Sequence, residues 1–247
     1  MFGGPELIKN IHKQVAERIG RSVVRGDVSP GEVLPSEVKL CEMMSVSRTA
    51  VREALRILHG KGLIEPRAKS GTRVRNPQEW NQFDPDILRW QFDSAELTSY
   101  LVKLFRLRTA VEPMAAEYAA MAATPEDLAK IRAAADAMSV AESNEAWVTA
   151  DIDLHRSIHI ATRNEFFWPI AQIFETALRR SFALAAPGDH RPRAIIEHRA
   201  VMEAICAREP KRAHRTMTDL IAHAADDLKR MHGIDPLADT ERIDPVR

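Results

Sequence analysis

The chain has 247 residues, 45% hydrophobic and 28% charged with only 6% aromatic, a balance that suits one large or two modest domains and favours packed helices over a β-sandwich. No apolar run approaches the roughly 20 residues that span a bilayer. The start "MFGGPELIKN" has no basic stretch leading into an apolar core, and Cys41 and Cys206 are too few for a disulfide framework, so membrane and secreted classes are set aside and a reducing cytoplasm is expected.

The zero net charge is unevenly spread. Residues 1–75 hold fourteen Lys and Arg against eight Asp and Glu, a net +6, and the remainder holds 21 against 27, a net −6. A basic head on an acidic body suggests that the head meets a polyanion. In chain order, "ELIKNIHKQVAERIGRSVVRG" predicts an amphipathic helix with Ile8, Ile11, Val15, Ile19 and Val23 at helical spacing, ended by Gly26. The loop "DVSPGEVLP" follows. Ser36 can cap "SEVKLCEMM", with Glu37 in its first turn. After a break at "SVS", Ser47 is the N-cap of "SRTAVREALRILHGKG", whose buried face is Val51, Leu55 and Leu58, and Gly60 and Gly62 end it. "LIEPRAKSGTRVRN" reads as two short strands around "RAKSG". Helix, helix, turn, helix, hairpin is the order of a winged helix-turn-helix, here residues 1–76, and it coincides with the basic head.

Residues 77–96 read as a linker with a short helix around "DILRWQ". From 97 to 232 the pattern is helical throughout, with a kink expected near Pro113, caps at Thr124 and Ser143, and Pro125 at a first helical position. The polar tail 233–247 is expected outside the core. The fold class is therefore mostly α: an N-terminal winged helix-turn-helix with a small β-hairpin wing, then an all-α body.

The head has the chemistry to read DNA. Ser47 and Thr49 can donate to phosphates at the start of a helix that enters the major groove. Arg48 and Arg52, one turn apart, project from one face, and arginine can pair with O6 and N7 of guanine. The tip "AKSG" offers Lys69, Ser70 and an unhindered Gly71 to the minor groove. The stretch "GEVLPSEVKLCEMMSVSRTAVREALRILHGKGLIEPRAKSGTRV" resembles the N-terminal domain of the GntR family of bacterial transcription regulators, through "LPSE", "VSRTAVREAL", "L..KGLIE" and "SGT.V" in order. The resemblance implies binding to double-stranded operator DNA through Ser36, Ser47, Arg48, Thr49, Arg52, Lys69, Ser70 and Gly71. Val38 stands where the family usually has a DNA-contacting arginine, and Lys39 after it points elsewhere on the helix.

In the body, "ADIDLHRSIH" places Asp151, His155 and His159 four apart on one helical stripe. Asp151 and His155 make a preformed pair, and His198 would tie a second helix to it. Imidazole and carboxylate without thiolate suit zinc, nickel or manganese and leave open positions. The same residues also suit a surface carboxylate and a satisfied core histidine, and Arg108 a surface ion pair. "AD..LH", "VEPMAAEYAA" and "EHRAVMEAI" resemble the FadR subgroup in its branch with a metal-containing helical effector (FCD) domain. That resemblance implies six or seven helices around an effector cavity, Asp151, His155 and His198 as metal ligands, and Arg108 receiving an effector's carboxylate. The subgroup's fourth ligand, a histidine, is replaced by Leu220. His223 follows one turn later, rotated by about 60°, and could partly substitute as a ligand, so a divalent metal would be held weakly, completed by water or effector, or lost; the subgroup does not use the position of His159. The linker "EWNQFDPDILRWQF" resembles that of galactonate-responsive repressors and points to a hexonate or related sugar acid.

The function expected is a homodimeric repressor, not an enzyme, released from its operator by a small carboxylate. Two subunits are expected because one winged helix covers only a half-site. A metal-dependent hydrolase or lyase using Asp151, His155 and His198 lacks a candidate nucleophile. An acyl-coenzyme A sensor of the same subgroup would lack these metal ligands.

Overall fold

The computed structural model describes residues 11–68, 70–94, 97–182 and 191–237. Among them are ten α-helices, a two-stranded antiparallel sheet and one 3-10 turn, Pro77–Glu79. The chain divides into two units, 1–95 and 96–247. No helix among the described residues is long and apolar enough to cross a membrane.

The first unit opens with α1, Ile11–Arg25, which buries Val15, Ala16, Ile19, Gly20 and Val23. Ile11, expected on that stripe, is 44% exposed, and Ile8 lies outside the described residues. Helices α2, Glu37–Met44, and α3, Arg48–Gly60, each begin at the expected serine. Ser36 Oγ accepts from the backbone N–H of Lys39 at 3.3 Å, and Ser47 Oγ from that of Ala50 at 3.2 Å; each satisfies an orphan donor of the first turn. Ser45 turns the chain between them in the left-handed region, at φ 54°. On α3 the buried stripe is Val51, Ala54 and Leu58, and Leu55 sits at its half-buried edge. Strands β1, Ile64–Arg67, and β2, Gly71–Val74, pair antiparallel with Ile64 opposite Val74, and Val33 bridges to Arg73.

Residues 77–94, most of the expected linker 77–96, fold into this first unit. Trp80, Ile87 and Trp90 join the core built by Leu34, Val51 and Leu58. Helix α4, Pro85–Ser94, lies so near α1 that a Cβ on Gly20 would fall 2.3 Å from the Trp90 ring. Only glycine permits that approach. Arg89 on α4 donates to both oxygens of Glu17 on α1, at 3.0 and 2.6 Å, and Lys61, at the end of α3, stands 2.7 Å from Asp84 and 2.8 Å from Asp86.

Six helices make the second unit: α5 Leu97–Ala122, α6 Pro125–Ser139, α7 Asn144–Ala161, α8 Trp168–Phe182, α9 Arg191–Cys206 and α10 Pro210–His232. Thr124 caps α6 in a reciprocal box with Asp127, with Pro125 next, and Ser143 caps α7. Helix α5 runs on through Pro113 without ending there. It packs against α7, α9 and α10. Ala115, Ala116, Ala119, Ala120, Ala204 and Ala213 are fully buried, so neighbouring backbones come close without large side chains between them. Helix α7 is buried on nearly every face, Asp151, His155 and His159 included. The tail is not wholly outside the core as expected: Ile234 packs into it, and residues 238–247 lie outside the described residues.

Candidate functional site

The first unit presents its candidate contacts to solvent. Ser36, Ser47, Arg48, Thr49 and Arg52 are all exposed, the last four in the first turns of α3 or at its cap. Arg52 is not free: its Nε donates to Glu37 Oε2 on α2 at 2.8 Å. Val38 is 49% exposed and brings no donor. At the wing, Ser70 Oγ donates weakly to the Ala68 carbonyl at 3.5 Å, and Lys69 lies outside the described residues. Gly71 is not the unhindered tip expected. It holds φ 84°, and a Cβ there would meet Val33 Cγ1 at 2.8 Å, so the loop before α2 closes over it.

The second unit buries its candidates. On α5, Arg108 Nε donates to Glu112 Oε1 at 2.5 Å, with the two residues 3% and 0% exposed. The guanidinium also lies over the Phe105 ring, 5.2 Å from its centre, and Nη1 and Nη2 have no hydrogen-bond partner among the described residues. The other Glu112 oxygen is against Nδ1 of His155 on α7, which leaves His155 Nε2 facing Asp151 Oδ1 at 3.8 Å. His198 on α9 donates Nδ1–H to the Ala194 carbonyl at 2.6 Å, and its Nε2 lies 2.7 Å from the same Asp151 oxygen. The two imidazoles stand perpendicular, with centres 5.5 Å apart.

One ligand atom from each of Asp151, His155 and His198 lies within 4.8 Å of the others, which brings together the three residues of the expected metal set. Neither His155 Nε2 nor His198 Nε2 completes a hydrogen bond of normal geometry. A buried polar atom left so costs about 1–3 kcal/mol. A cation between the three would satisfy both lone pairs and the carboxylate, so the residues fit a divalent metal ion. Glu112 and the Ala194 carbonyl act as the outer partners that aim such ligands.

The electrostatics follow the same pairing. Burial alone would raise the Glu112 carboxyl, but the Arg108 guanidinium and the His155 imidazole hold it well below the usual carboxylate range. Asp151 is opposed by burial too, and His198 draws it down. Burial works against charge on His155, yet Glu112 beside it pushes the imidazole up. His159, one turn further along α7, is pushed down by burial.

Two candidates stand apart. His223 Nδ1 lies 2.7 Å from Glu197 and does not join the cluster, because its position three residues after Leu220 turns it about 60° around α10. Leu220 itself packs in the core. His159 donates Nδ1–H to the His155 carbonyl at 2.9 Å, between the rings of Phe167 and Phe174 at 6.3 and 5.6 Å. Sequence reasoning missed two partners, Glu112 and Glu37. The first had a signal, since it follows Arg108 by four, the spacing of a helical ion pair.

Residues 11–74 match the family model of bacterial regulatory proteins, gntR family, and residues 103–223 match the FCD domain. The galactonate operon transcriptional repressor of Escherichia coli (strain K12) is 31% identical over 86% of this chain and 94% of its own length. The HTH-type transcriptional regulator YieP of the same organism is 32% identical over 70% of this chain and 77% of its own. In fold, the chain is similar to the solved structure of Lar, which controls the expression of the Listeria monocytogenes agr system, with a TM-score of 0.58 and 18% identity over 94% of this chain and 100% of that one. The chain thus belongs to the GntR family of DNA-binding transcriptional regulators, with an FCD domain as its second unit.

Proposed function

We propose that the protein is a homodimeric repressor that leaves its operator when a small polyhydroxy acid of the hexonate class enters the FCD domain. The observation that carries this reading is the buried cluster: two unsatisfied imidazole nitrogens and a carboxylate converge, with the Arg108 guanidinium held by Glu112 beside them. A divalent ion held by Asp151, His155 and His198 would supply positive charge and open positions for carboxylate and hydroxyl oxygens. Arg108, fixed at Nε by Glu112, keeps the two terminal nitrogens that form a fork toward a carboxylate. With Leu220 in place of a fourth ligand, metal retention is weak. The relative named for a galactonate operon supports both repression and a sugar acid. In the first unit, Arg48 and Arg52 read bases while Ser36, Ser47, Thr49, Lys69, Ser70 and Gly71 meet the backbone. The dimer supplies the second half-site.

The test is release of a labelled operator, mapped by footprinting, on titration with D-galactonate and D-gluconate, with added zinc or with chelator. Wild type releases DNA only with acid and metal. Arg108→Ala and the combined Asp151→Ala, His155→Ala, His198→Ala protein hold DNA without releasing it. Release by the combined variant equal to wild type would falsify this assignment of the sensor, and a monomer at micromolar concentration by sedimentation would remove the dimer.

A further inference from the structure

We propose that Nε2 of His159 accepts a hydrogen bond from a hydroxyl on the carbon chain of the acid bound in the FCD domain, and so makes His159 the residue that requires a polyhydroxy ligand. This rests on the acid-sensing reading above. Three imidazoles occur in this region, and each has its Nδ1 engaged: His155 against Glu112, His198 on the Ala194 carbonyl, His159 on the His155 carbonyl. A carbonyl can only accept, so His159 carries its proton on Nδ1 and offers a bare lone pair at Nε2. His155 and His198 turn their Nε2 atoms toward Asp151, whereas His159 has no counterpart. Its Nε2 is buried, in a residue 1% exposed, with no hydrogen-bond partner among the described residues. The neighbouring Phe167 and Phe174 rings have no polar donor to offer it.

Buried acceptors are normally satisfied, and one left open at the edge of a ligand cluster asks what donor completes it. A carboxylate or a metal-bound oxygen anion has no proton to give. The acid proposed above carries no ammonium to serve as donor. A neutral hydroxyl remains. It is also the group that a hexonate repeats along its chain beyond the carboxylate end. Asp151, His155 and His159 share one stripe of α7, so a chain anchored at the first two runs past the third. A hydroxyl of the bound acid would fill this acceptor in place of any water held there.

Calorimetric titration of the full-length, zinc-supplemented protein tests this with three hexonates (D-galactonate, D-gluconate and D-mannonate) against 2-hydroxyhexanoate, which keeps the chelating end and lacks the other hydroxyls. His159→Leu is expected to weaken the best hexonate about tenfold or more, to leave 2-hydroxyhexanoate unchanged, and to keep wild-type zinc content. His159→Gln, which restores an acceptor oxygen, should recover part of the loss. If leucine prevents folding, His159→Met fills the same space without a strong acceptor. Equal weakening of both acid types, loss of zinc, or no weakening at all overturns the proposal while leaving acid sensing in place. If wild-type protein binds none of the four acids, the acid-sensing reading itself falls and this inference falls with it.

Discussion

Each unit pairs an arginine with a glutamate across nearly the same distance, and the two pairs obey different physics. In the first unit Arg52 and Glu37 meet at 2.8 Å with side chains 68% and 41% exposed. Water screens such a pair, so it positions the guanidinium without adding much stability. In the second, Arg108 and Glu112 meet at 2.5 Å with side chains 4% and 0% exposed. There both charges have left water, and each depends on the other. A surface that must meet DNA can keep its cations in solvent. The second unit, proposed to take an acid away from solvent, builds its compensating charge inside.

The largest effect expected from that contrast is at Glu112. Glu112→Ala leaves the Arg108 guanidinium buried without its carboxylate and removes the contact to His155, which should cost about 3–5 kcal/mol in urea unfolding. A loss as small as that of an exposed pair would mean that the interior site is wetter than its burial implies. Next is Gly20→Ala, where the new Cβ drives into Trp90. Overpacking of this kind costs about 1–3 kcal/mol, and the tryptophan emission should shift with it; an unchanged midpoint would show that α4 can move off α1 freely.

Arg48→Ala and Arg52→Ala sharpen the comparison from the other side. Each should weaken operator binding by about ten- to a hundredfold, the size of a lost bidentate base contact, with no change in unfolding midpoint. Wild-type affinity in both variants at the same salt would move the reading helix elsewhere. The smallest effect is acid sensitivity of the α1–α4 contact. Burial opposes ionisation of Glu17 and Asp86, yet Arg21 and Arg89 at the first, and Lys61 and Arg89 at the second, pull both carboxyls below their ordinary values of 4.5 and 3.8. Lowered values in the folded state mean that the stabilisation is present above those values and is lost as pH falls through them. Trp90 fluorescence should report a loosening in that acid range and none between pH 6 and 8.

Much of this was legible in the chain itself. The caps at Ser36, Ser47, Thr124 and Ser143 all hold, because a hydroxyl three residues before a free backbone N–H is a local signal. The spacing of Asp151 and His155 placed them on one face, and the family pattern brought His198 to them. The misreadings are tertiary in origin. Prolines and polar residues around α4 suggested a linker, whereas Trp80, Ile87 and Trp90 find partners only once α1 is in place. Gly71 looked open because Val33, 38 residues earlier in the chain but close in space, is invisible to local pattern. Glu112 was missed because its contact to His155 depends on how α5 meets α7.

The Glu37–Arg52 contact also bears on salt. Each DNA phosphate neutralised by a protein cation releases condensed counterions, and the logarithm of the binding constant falls by about 0.9 per phosphate for each logarithmic unit of salt. An arginine that arrives with its own carboxylate brings almost no net charge to that exchange. The number of cations on the head therefore overstates the counterions released, and the head should hold its operator with a shallower salt dependence than its fourteen Lys and Arg suggest. Operator binding that varies little with ionic strength would then trace to a single acidic side chain on the helix before the one proposed to read the DNA.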